Sequence, residues 1–226
     1  MQKPTSKSPI IYLFPGLGTD HRLFWEYNFA PFEWKAIEWA PFEKANSMEG
    51  YAKKLIPQID QTRPIILLGV SMGGMIAQEL SHLVKTEVLI LVSTIRKESE
   101  RPWIMRFAER FPLYRIMNPL LLWFIANTAW LAVGVWKKEH RKILKDMILK
   151  TTANGMIKQT ELSVQWHPKE LKPAVFHVHG DKDPLFPIKK QNPDHVIKGG
   201  NHQMMYKHRV KIEKAIVDWL KTRFSH

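Results

Sequence analysis

The stretch PIILLGVSMGGMIAQEL at residues 64–80 decides the fold of this chain. It begins with a proline and four apolar residues, 65–68, a run that is typical of a strand buried on both faces. Gly69, Ser71 and Gly73 follow, and after them comes a pattern typical of a helix. We therefore predict a buried strand that turns sharply into a helix, with a serine at the turn.

A serine flanked by glycines at such a turn is typical of a nucleophile elbow. The turn must be tight enough to project the serine hydroxyl from the end of the strand. Gly69 and Gly73 would allow the strand and helix backbones to approach each other closely. The N–H of Met72 would lie at the N-terminus of the helix, where partial positive charge can hold an oxyanion. The alternative interpretation is an ordinary glycine turn with a helix-capping serine.

The composition limits the classes of protein to consider. A chain of 226 residues with 45% hydrophobic residues fits one domain, or one domain with an insertion. The sequence has no cysteine, which excludes a disulfide framework and thiol catalysis. The first ten residues, MQKPTSKSPI, lack the apolar segment of a secretory signal peptide, so we expect a cytoplasmic protein.

The charge is strongly basic and unevenly distributed. The net charge is +13, and residues 96–150 carry 12 Lys and Arg against 5 Asp and Glu. A basic face can attract nucleic acid, anionic lipid or anionic substrates, although a solvated surface is the simpler interpretation. No nucleic-acid-binding motif accompanies the charge, so we expect no nucleic-acid partner.

Strand and helix patterns alternate along most of the chain, which predicts an α/β fold with a mostly parallel sheet of about six strands and helices on both faces. Asn46 and Glu49 form a capping-box pattern that predicts a helix ending near residue 59. Further helices are predicted at 72–84 and 206–224. Besides the strand at 65–68, strands are predicted at 10–14, 34–39, 87–92, 174–178 and 193–197.

The middle of the chain differs from the rest. Residues 96–167 show helical periodicity without a clear strand, so we predict a helical cap inserted between the two parts of a core, 1–95 and 168–226. Residues 119–136 contain no charge and reach the lower length limit of a membrane span, with basic residues on both sides. We interpret them as cap helices lining a pocket, and an interfacial helix and a true span are the alternatives. Recovery of the protein without detergent is expected.

Three loops carry a serine, an aspartate and a histidine, in that order. Ser71, Asp183 and His202 should each follow the carboxyl end of a strand, where open α/β sheets place their sites. Ser71 would attack an acyl carbon, His202 would take and return the proton, and Asp183 would orient the imidazole. Asp181 is the alternative acid.

The loop after the first strand completes the predicted site. Its sequence, PGLGTD at residues 15–20, follows the strand at 10–14 directly. We predict that the backbone N–H of Leu17 faces that of Met72, so that the two form an oxyanion hole. The alternative is a simple strand-to-helix turn.

A metal site is a competing interpretation of one segment. His177, His179 and Asp181 form an H-x-H-x-D motif that resembles the start of the metal site in metallo-β-lactamase-fold hydrolases. That family has a histidine directly after the aspartate, where this chain has Lys182. Strand alternation places both histidines on one face, so two ligands are geometrically possible. We expect no metal or other cofactor, and loss of activity on chelation would revive the metal interpretation.

Four motifs together resemble those of the α/β-hydrolase fold superfamily, of the small capped esterase type. The resemblance covers residues 10–95 and 169–224, and it implies that Asp183 is the acid, because Pro187 follows it at the family's spacing. Pro15 stands where many relatives have histidine, and the oxyanion loop lacks a triple glycine. The motifs are FPGLG at 14–18, GVSMGG at 69–74, HGDKDPLFP at 179–187 and GGNHQMM at 199–205.

These features predict a serine hydrolase that cleaves a carboxylic ester through an acyl-enzyme, as a monomer or homodimer. A serine nucleophile disfavours the dehalogenase and epoxide hydrolase chemistries of the superfamily, which use aspartate. An apolar acyl or alcohol group is suggested by seven aromatic residues of the cap, namely Trp103, Phe107, Phe111, Trp123, Phe124, Trp130 and Trp136. A thioesterase, a C–C bond hydrolase, a non-catalytic ligand-binding protein and a peripheral protein on anionic membranes are the alternatives.

Overall fold

A computed structural model of the chain describes residues 8–224, apart from the side chain of Ala132. Most of the N-terminal segment from which a cytoplasmic location is expected therefore lies outside the described residues. Within the described range the chain forms a six-stranded sheet in the order β2-β1-β3-β4-β5-β6, and every neighbouring pair is parallel. The strands are β1 (Ile10–Phe14), β2 (Glu33–Ala36), β3 (Ile65–Val70), β4 (Thr86–Val92), β5 (Ala174–Gly180) and β6 (His195–Ile197).

The sheet carries helices on both faces because its central strands are apolar on both sides. Alternate residues of β1 and β3 enter different cores, so that Leu13 and Leu68 lie in one and Tyr12 and Leu67 lie in the other. All residues of both strands are buried. The predicted α/β fold with a parallel sheet of about six strands is confirmed.

Eight α-helices complete the described part of the chain. Helices α1 and α2 pack on one face of the sheet and α8 packs on the other. Four of the helices, α3 to α6, lie between β4 and β5, where the sequence predicts the cap. The helices are α1 (Met48–Leu55), α2 (Met72–Ser81), α3 (Trp103–Arg110), α4 (Pro119–Val133), α5 (Lys138–Lys150), α6 (Ala153–Val164), α7 (Met204–Lys207) and α8 (Arg209–Phe224).

Helix boundaries differ from the sequence prediction at several points. Helix α1 ends at Leu55 and a 3-10 turn at Ile56–Gln58 follows it, because Pro57 has no N–H to continue the α-helix. Helix α2 ends at Ser81 rather than at residue 84.

The first helix is capped by Ser47 rather than Asn46, because the Ser47 hydroxyl accepts a hydrogen bond from the N–H of Gly50. The predicted C-terminal helix is divided, since α7 ends before His208 and α8 begins after it. The imidazole Nε2 of His208 lies 3.1 Å from the carbonyl oxygen of Gly199, which ties this break to the loop before α7.

The uncharged segment at 119–136 forms one helix of 15 residues and a turn. Helix α4 ends at Gly134, whose φ of +71° is a left-handed conformation that favours glycine. Among the helices of residues 8–224, none combines the length and the apolar character that crossing a membrane would require.

Candidate active site

Ser71 occupies a strained position between β3 and α2. Its φ of +53° is unusual for a residue with a side chain, and such strain persists only where the surrounding structure enforces it. Here the Ser71 N–H donates to the carbonyl of Val92 on β4, at 2.9 Å, and Thr94 donates to the carbonyl of Ser71, at 2.8 Å. The turn therefore has the form that the sequence predicts for a nucleophile elbow.

His202 and Asp183 meet Ser71 in one connected row. The Ser71 Oγ lies 3.0 Å from Nε2 of His202, and Nδ1 of the same ring lies 2.9 Å from Oδ2 of Asp183. His202 comes from the loop between β6 and α7, and Asp183 comes from the loop after β5. A carboxylate at Nδ1 favours the tautomer with its proton on that nitrogen, which leaves Nε2 to accept the serine proton.

Asp183 is held by its own loop as well as by His202. Its Oδ1 accepts hydrogen bonds from the N–H groups of Leu185 and Phe186, both at 2.9 Å. Burial opposes ionisation of Asp183, but the hydrogen bonds from His202 and from Phe186 outweigh it and lower the pKa of the carboxyl group. Asp183 is therefore a carboxylate at neutral pH.

The alternative acid, Asp181, points away from this row. Its Oδ1 accepts a hydrogen bond from the N–H of Gly199, at 2.6 Å, in the turn after β6. Asp181 is partly exposed, whereas Asp183 is buried. The geometry therefore brings Asp183, and not Asp181, to the imidazole of His202.

The two N–H groups predicted for an oxyanion hole lie beside the serine, one in a loop and the other at the start of a helix. Met72 is the first residue of α2, Leu17 lies in the loop after β1, and both line the same cavity as Ser71. Within residues 8–224 neither N–H donates a hydrogen bond to a protein acceptor. Gln159, which the sequence analysis missed, accepts from the N–H of Gly18 at 2.9 Å and so fastens this loop to α6.

A cavity of about 400 Å³ adjoins Ser71 and His202. Its walls are almost wholly apolar, and they come from all four helices between β4 and β5. The seven cap aromatics that suggested an apolar substrate group do not line it. Aliphatic and methionine side chains do so instead, among them Met105, Ile125, Val133, Leu144, Ile148 and Met156.

The histidines of the H-x-H-x-D motif are buried behind the acid loop. His177 and His179 lie side by side with ring centroids 5.3 Å apart, and Nε2 of His179 is 2.8 Å from the carbonyl oxygen of Phe186. Asp181 is bound to the turn after β6 instead, as described above. Across residues 8–224, no three His, Asp or Glu side chains are grouped as metal ligands.

These buried histidines predict a loss of stability in mild acid. Burial lowers the pKa of His177 to about 2 and also lowers that of His179, whereas an exposed histidine titrates near 6.5. Below pH 6.5 the unfolded chain protonates His177, whereas the folded chain does so only at much lower pH. The unfolding free energy should therefore fall by up to about 1.4 kcal/mol per pH unit because of His177, and the lowered pKa of His179 adds to the fall. His177→Leu should remove the contribution of this histidine to the pH dependence of the unfolding free energy between pH 6 and 4, as measured by urea unfolding.

The exposed His195 provides the matched control. His195→Leu replaces an exposed ring at the start of β6, and the slope should be unchanged. A His177→Leu slope equal to that of the wild type would contradict the prediction.

Comparison with known proteins is consistent with this architecture. Residues 8–213 match the model of the alpha/beta hydrolase family. No curated protein matches the sequence significantly.

Solved structures of similar fold include proteins of different activity. A carboxylesterase of the thaumarchaeon Nitrososphaera gargenis is 17% identical, with a TM-score of 0.69 over 98% of this chain and 97% of that one. An esterase of Thermogutta terrifontis is 19% identical, with a TM-score of 0.65 over 96% and 90%. BpoC of Mycobacterium tuberculosis, described as a non-heme bromoperoxidase, is 15% identical, with a TM-score of 0.67 over 96% and 93%. At these identities the likeness shows the fold alone, and the family match over most of the chain shows that it belongs to the alpha/beta hydrolase family.

Proposed function

We propose that this hydrolase cleaves carboxylic esters with an apolar acyl or alcohol group, through a serine acyl-enzyme. The observation that carries the proposal is the hydrogen-bonded row from Ser71 through His202 to Asp183 beside an apolar cavity. A serine without a neighbouring base is a weak nucleophile, and such a row is the arrangement that activates it.

In the first half of the reaction, Oγ of Ser71 attacks the ester carbonyl carbon and His202 takes the hydroxyl proton on Nε2. The N–H groups of Leu17 and Met72 hold the negative charge that forms on the carbonyl oxygen. When the tetrahedral intermediate collapses, the bond to the alkoxy oxygen breaks and His202 gives its proton to the departing alcohol.

In the second half, water replaces the alcohol. His202 takes a proton from the water, whose oxygen attacks the acyl carbon of the ester on Ser71. The bond to Oγ then breaks, and the proton on His202 returns to the serine. Asp183 remains ionised throughout and stabilises the imidazolium form of His202. These reaction steps need no cofactor, because every proton that His202 takes up is released again.

The walls of the cavity support an apolar substrate group. They contain few polar side chains apart from the reacting residues, and the cavity volume falls within the range of small-molecule sites. Because a buried methylene contributes about 0.8 kcal/mol, each added carbon should raise kcat/KM about fourfold until the cavity is full.

The experiment is hydrolysis of p-nitrophenyl esters of increasing acyl length by the wild type and by Ser71→Ala. We expect activity to rise from acetyl to longer chains, and the variant to lose at least about 10⁴-fold in kcat. Ser93→Ala is a matched control, because Ser93 is also a positive-φ serine at the end of a strand and is fully buried.

Activity that survived in Ser71→Ala would contradict the serine mechanism. Acyl-CoA substrates assayed in parallel would distinguish a thioesterase from an esterase. A folded wild-type protein that cleaved none of the esters would contradict the proposed substrate class.

A further inference from the structure

Exposed apolar side chains are concentrated in one segment of the chain, residues 103–136. Of the sixteen large hydrophobic side chains that are exposed in the described part of the chain, eleven lie within residues 103–136. Single exposed apolar residues are normal, but a concentration of this kind marks a contact surface. We define the outer cap face as the exposed side chains of α3, the turn after it and α4, namely Trp103, Phe107, Phe111, Leu113, Ile116, Leu120, Trp123 and Phe124.

Helix α3 presents different residues to its two sides. Ile104 and Ala108 line the cavity beside Ser71, whereas Trp103, Phe107 and Phe111 are exposed. The three aromatic rings follow one another at a spacing of four residues, with centroids 6.2 Å and 5.1 Å apart. The outer side of α3 is therefore a continuous aromatic row, where an ordinary surface helix would carry polar side chains.

Helix α4 is apolar on its outer side as well. Trp123 is 53% exposed and Phe124 is 58% exposed, although neither lines the cavity. Its two polar side chains turn back on the helix, since Asn127 donates to the carbonyl of Trp123 and Thr128 donates to that of Phe124. One donor of each side chain is thus bonded within the helix, which lowers the cost of placing these residues in an apolar environment.

The segment that carries the outer cap face is mostly basic, and one of its basic residues, Arg115, is paired with Glu161 of α6. Between residues 102 and 138 there are five Lys and Arg and one acidic residue, Glu109, which is paired with the buried Arg101. Arg110 lies beside the aromatic row, with its guanidinium 5.5 Å from the ring of Phe111. Aromatic and aliphatic side chains edged by Arg and Lys are the combination found where proteins meet an anionic lipid surface.

We propose that the outer cap face docks on an anionic lipid bilayer, with its aromatic side chains in the interface and its basic residues against the lipid headgroups. A second copy of the chain would fit the outer cap face less well than lipid. A twofold dimer would place two copies of this face against each other, and their basic residues would then repel. An anionic lipid surface instead supplies an apolar region for the aromatic side chains and negative charge for the basic residues.

Docking in this way would bring the cavity close to the lipid. Ile104 lines the cavity and is 42% exposed, and it lies next to Trp103 of the outer cap face. The mouth of the cavity therefore borders the docking surface. An ester dissolved in the lipid would reach Ser71 without crossing bulk water, and this last step alone rests on the proposed function.

The test is co-sedimentation of the full chain with lipid vesicles. The protein carries Ser71→Ala, so that binding is measured independently of any hydrolysis. We expect binding at low salt to vesicles of phosphatidylcholine mixed with phosphatidylglycerol to be at least about tenfold tighter than to phosphatidylcholine alone, and to weaken as salt is added. Adding Trp103→Ser and Trp123→Ser should weaken binding to the mixed vesicles at least about tenfold.

Trp25→Ser is the matched control, because Trp25 is 54% exposed and lies outside the cap segment. It should bind as the parent does. Urea unfolding should show that the double variant is folded, since both replaced rings are more than half exposed.

Three results would overturn the proposal: no binding at low salt, equal binding to both kinds of vesicle, or unchanged binding of a folded double variant. Sedimentation velocity gives a fourth decisive result. A dimer of the parent protein that became a monomer in the double variant would show that a second copy, and not lipid, covers this face.

Discussion

Asp183→Asn is expected to lower kcat for the preferred ester by about four orders of magnitude without unfolding the protein. The amide oxygen could still accept the hydrogen bonds from Leu185 and Phe186. The amide NH₂ would then face Nδ1 of His202, which would have to become an acceptor. The ring proton would move to Nε2, and that nitrogen could no longer take the proton of Ser71.

Asp181→Asn separates this expectation from a general effect of removing a charge. Asp181 accepts its hydrogen bond from the N–H of Gly199 through a single oxygen, which an asparagine also provides. We therefore expect kcat close to that of the wild type. A larger loss in Asp181→Asn than in Asp183→Asn would transfer the role of the acid to Asp181.

The sequence could predict most of the site, but not which of the two aspartates serves as the acid. Ser71, Asp183 and His202 lie far apart in the chain, yet their order and the strands before them were enough to predict that they meet. This is because the carboxyl ends of parallel strands lie along one edge of a sheet. The choice between Asp181 and Asp183 depended on a family motif, because two carboxylates in one short loop have the same chemistry.

The arrangement of the helices between β4 and β5 was less predictable, for a physical reason. Helix α4 is apolar on all sides, so its periodicity does not distinguish the side facing the cavity from the side facing solvent. The large aromatics drew attention in the sequence, but aliphatic side chains line the cavity and Trp123 and Phe124 are exposed. Which side turns inward depends on contacts with α5, the neighbouring helix, which no local pattern contains.

The N-cap of helix α1 was also uncertain, by one residue. Asn46 and Ser47 are both good N-caps, and Glu49 completes a capping-box spacing with the first of them. The structure uses Ser47 instead, with its hydroxyl 3.0 Å from the N–H of Gly50. A difference of one residue between two equivalent caps is below what local sequence can resolve.

The second large effect is expected at the elbow, where Gly73→Ala should destabilise the protein by about 3 kcal/mol or more. A Cβ atom at this position would lie 2.2 Å from the carbonyl oxygens of both Phe14 and Pro15. These are backbone atoms at the end of β1, so neither can rotate away as a side chain could. Relief of the clash requires that the start of α2 and the end of β1 move apart.

Such a movement would harm the site as well as the fold. The loop that carries Leu17 follows Pro15 directly, so separating β1 from α2 also separates the N–H of Leu17 from that of Met72. We therefore expect lower kcat even under conditions where the variant is folded. For a chain of this size, a loss of 3 kcal/mol corresponds to a fall in Tm of about 10 °C, which thermal unfolding would detect.

Gly50→Ala in helix α1 shows whether the effect comes from the close approach or from any glycine replacement. Its Cβ would have one near neighbour, the Ser47 hydroxyl at 3.1 Å, and alanine favours a helix over glycine by about 1 kcal/mol. We expect an unchanged or slightly raised Tm for this variant. If Gly73→Ala were as stable as Gly50→Ala, β1 and α2 could separate at little cost. The strained serine would then need another explanation, because the tight packing around the elbow is what holds Ser71 at its positive φ.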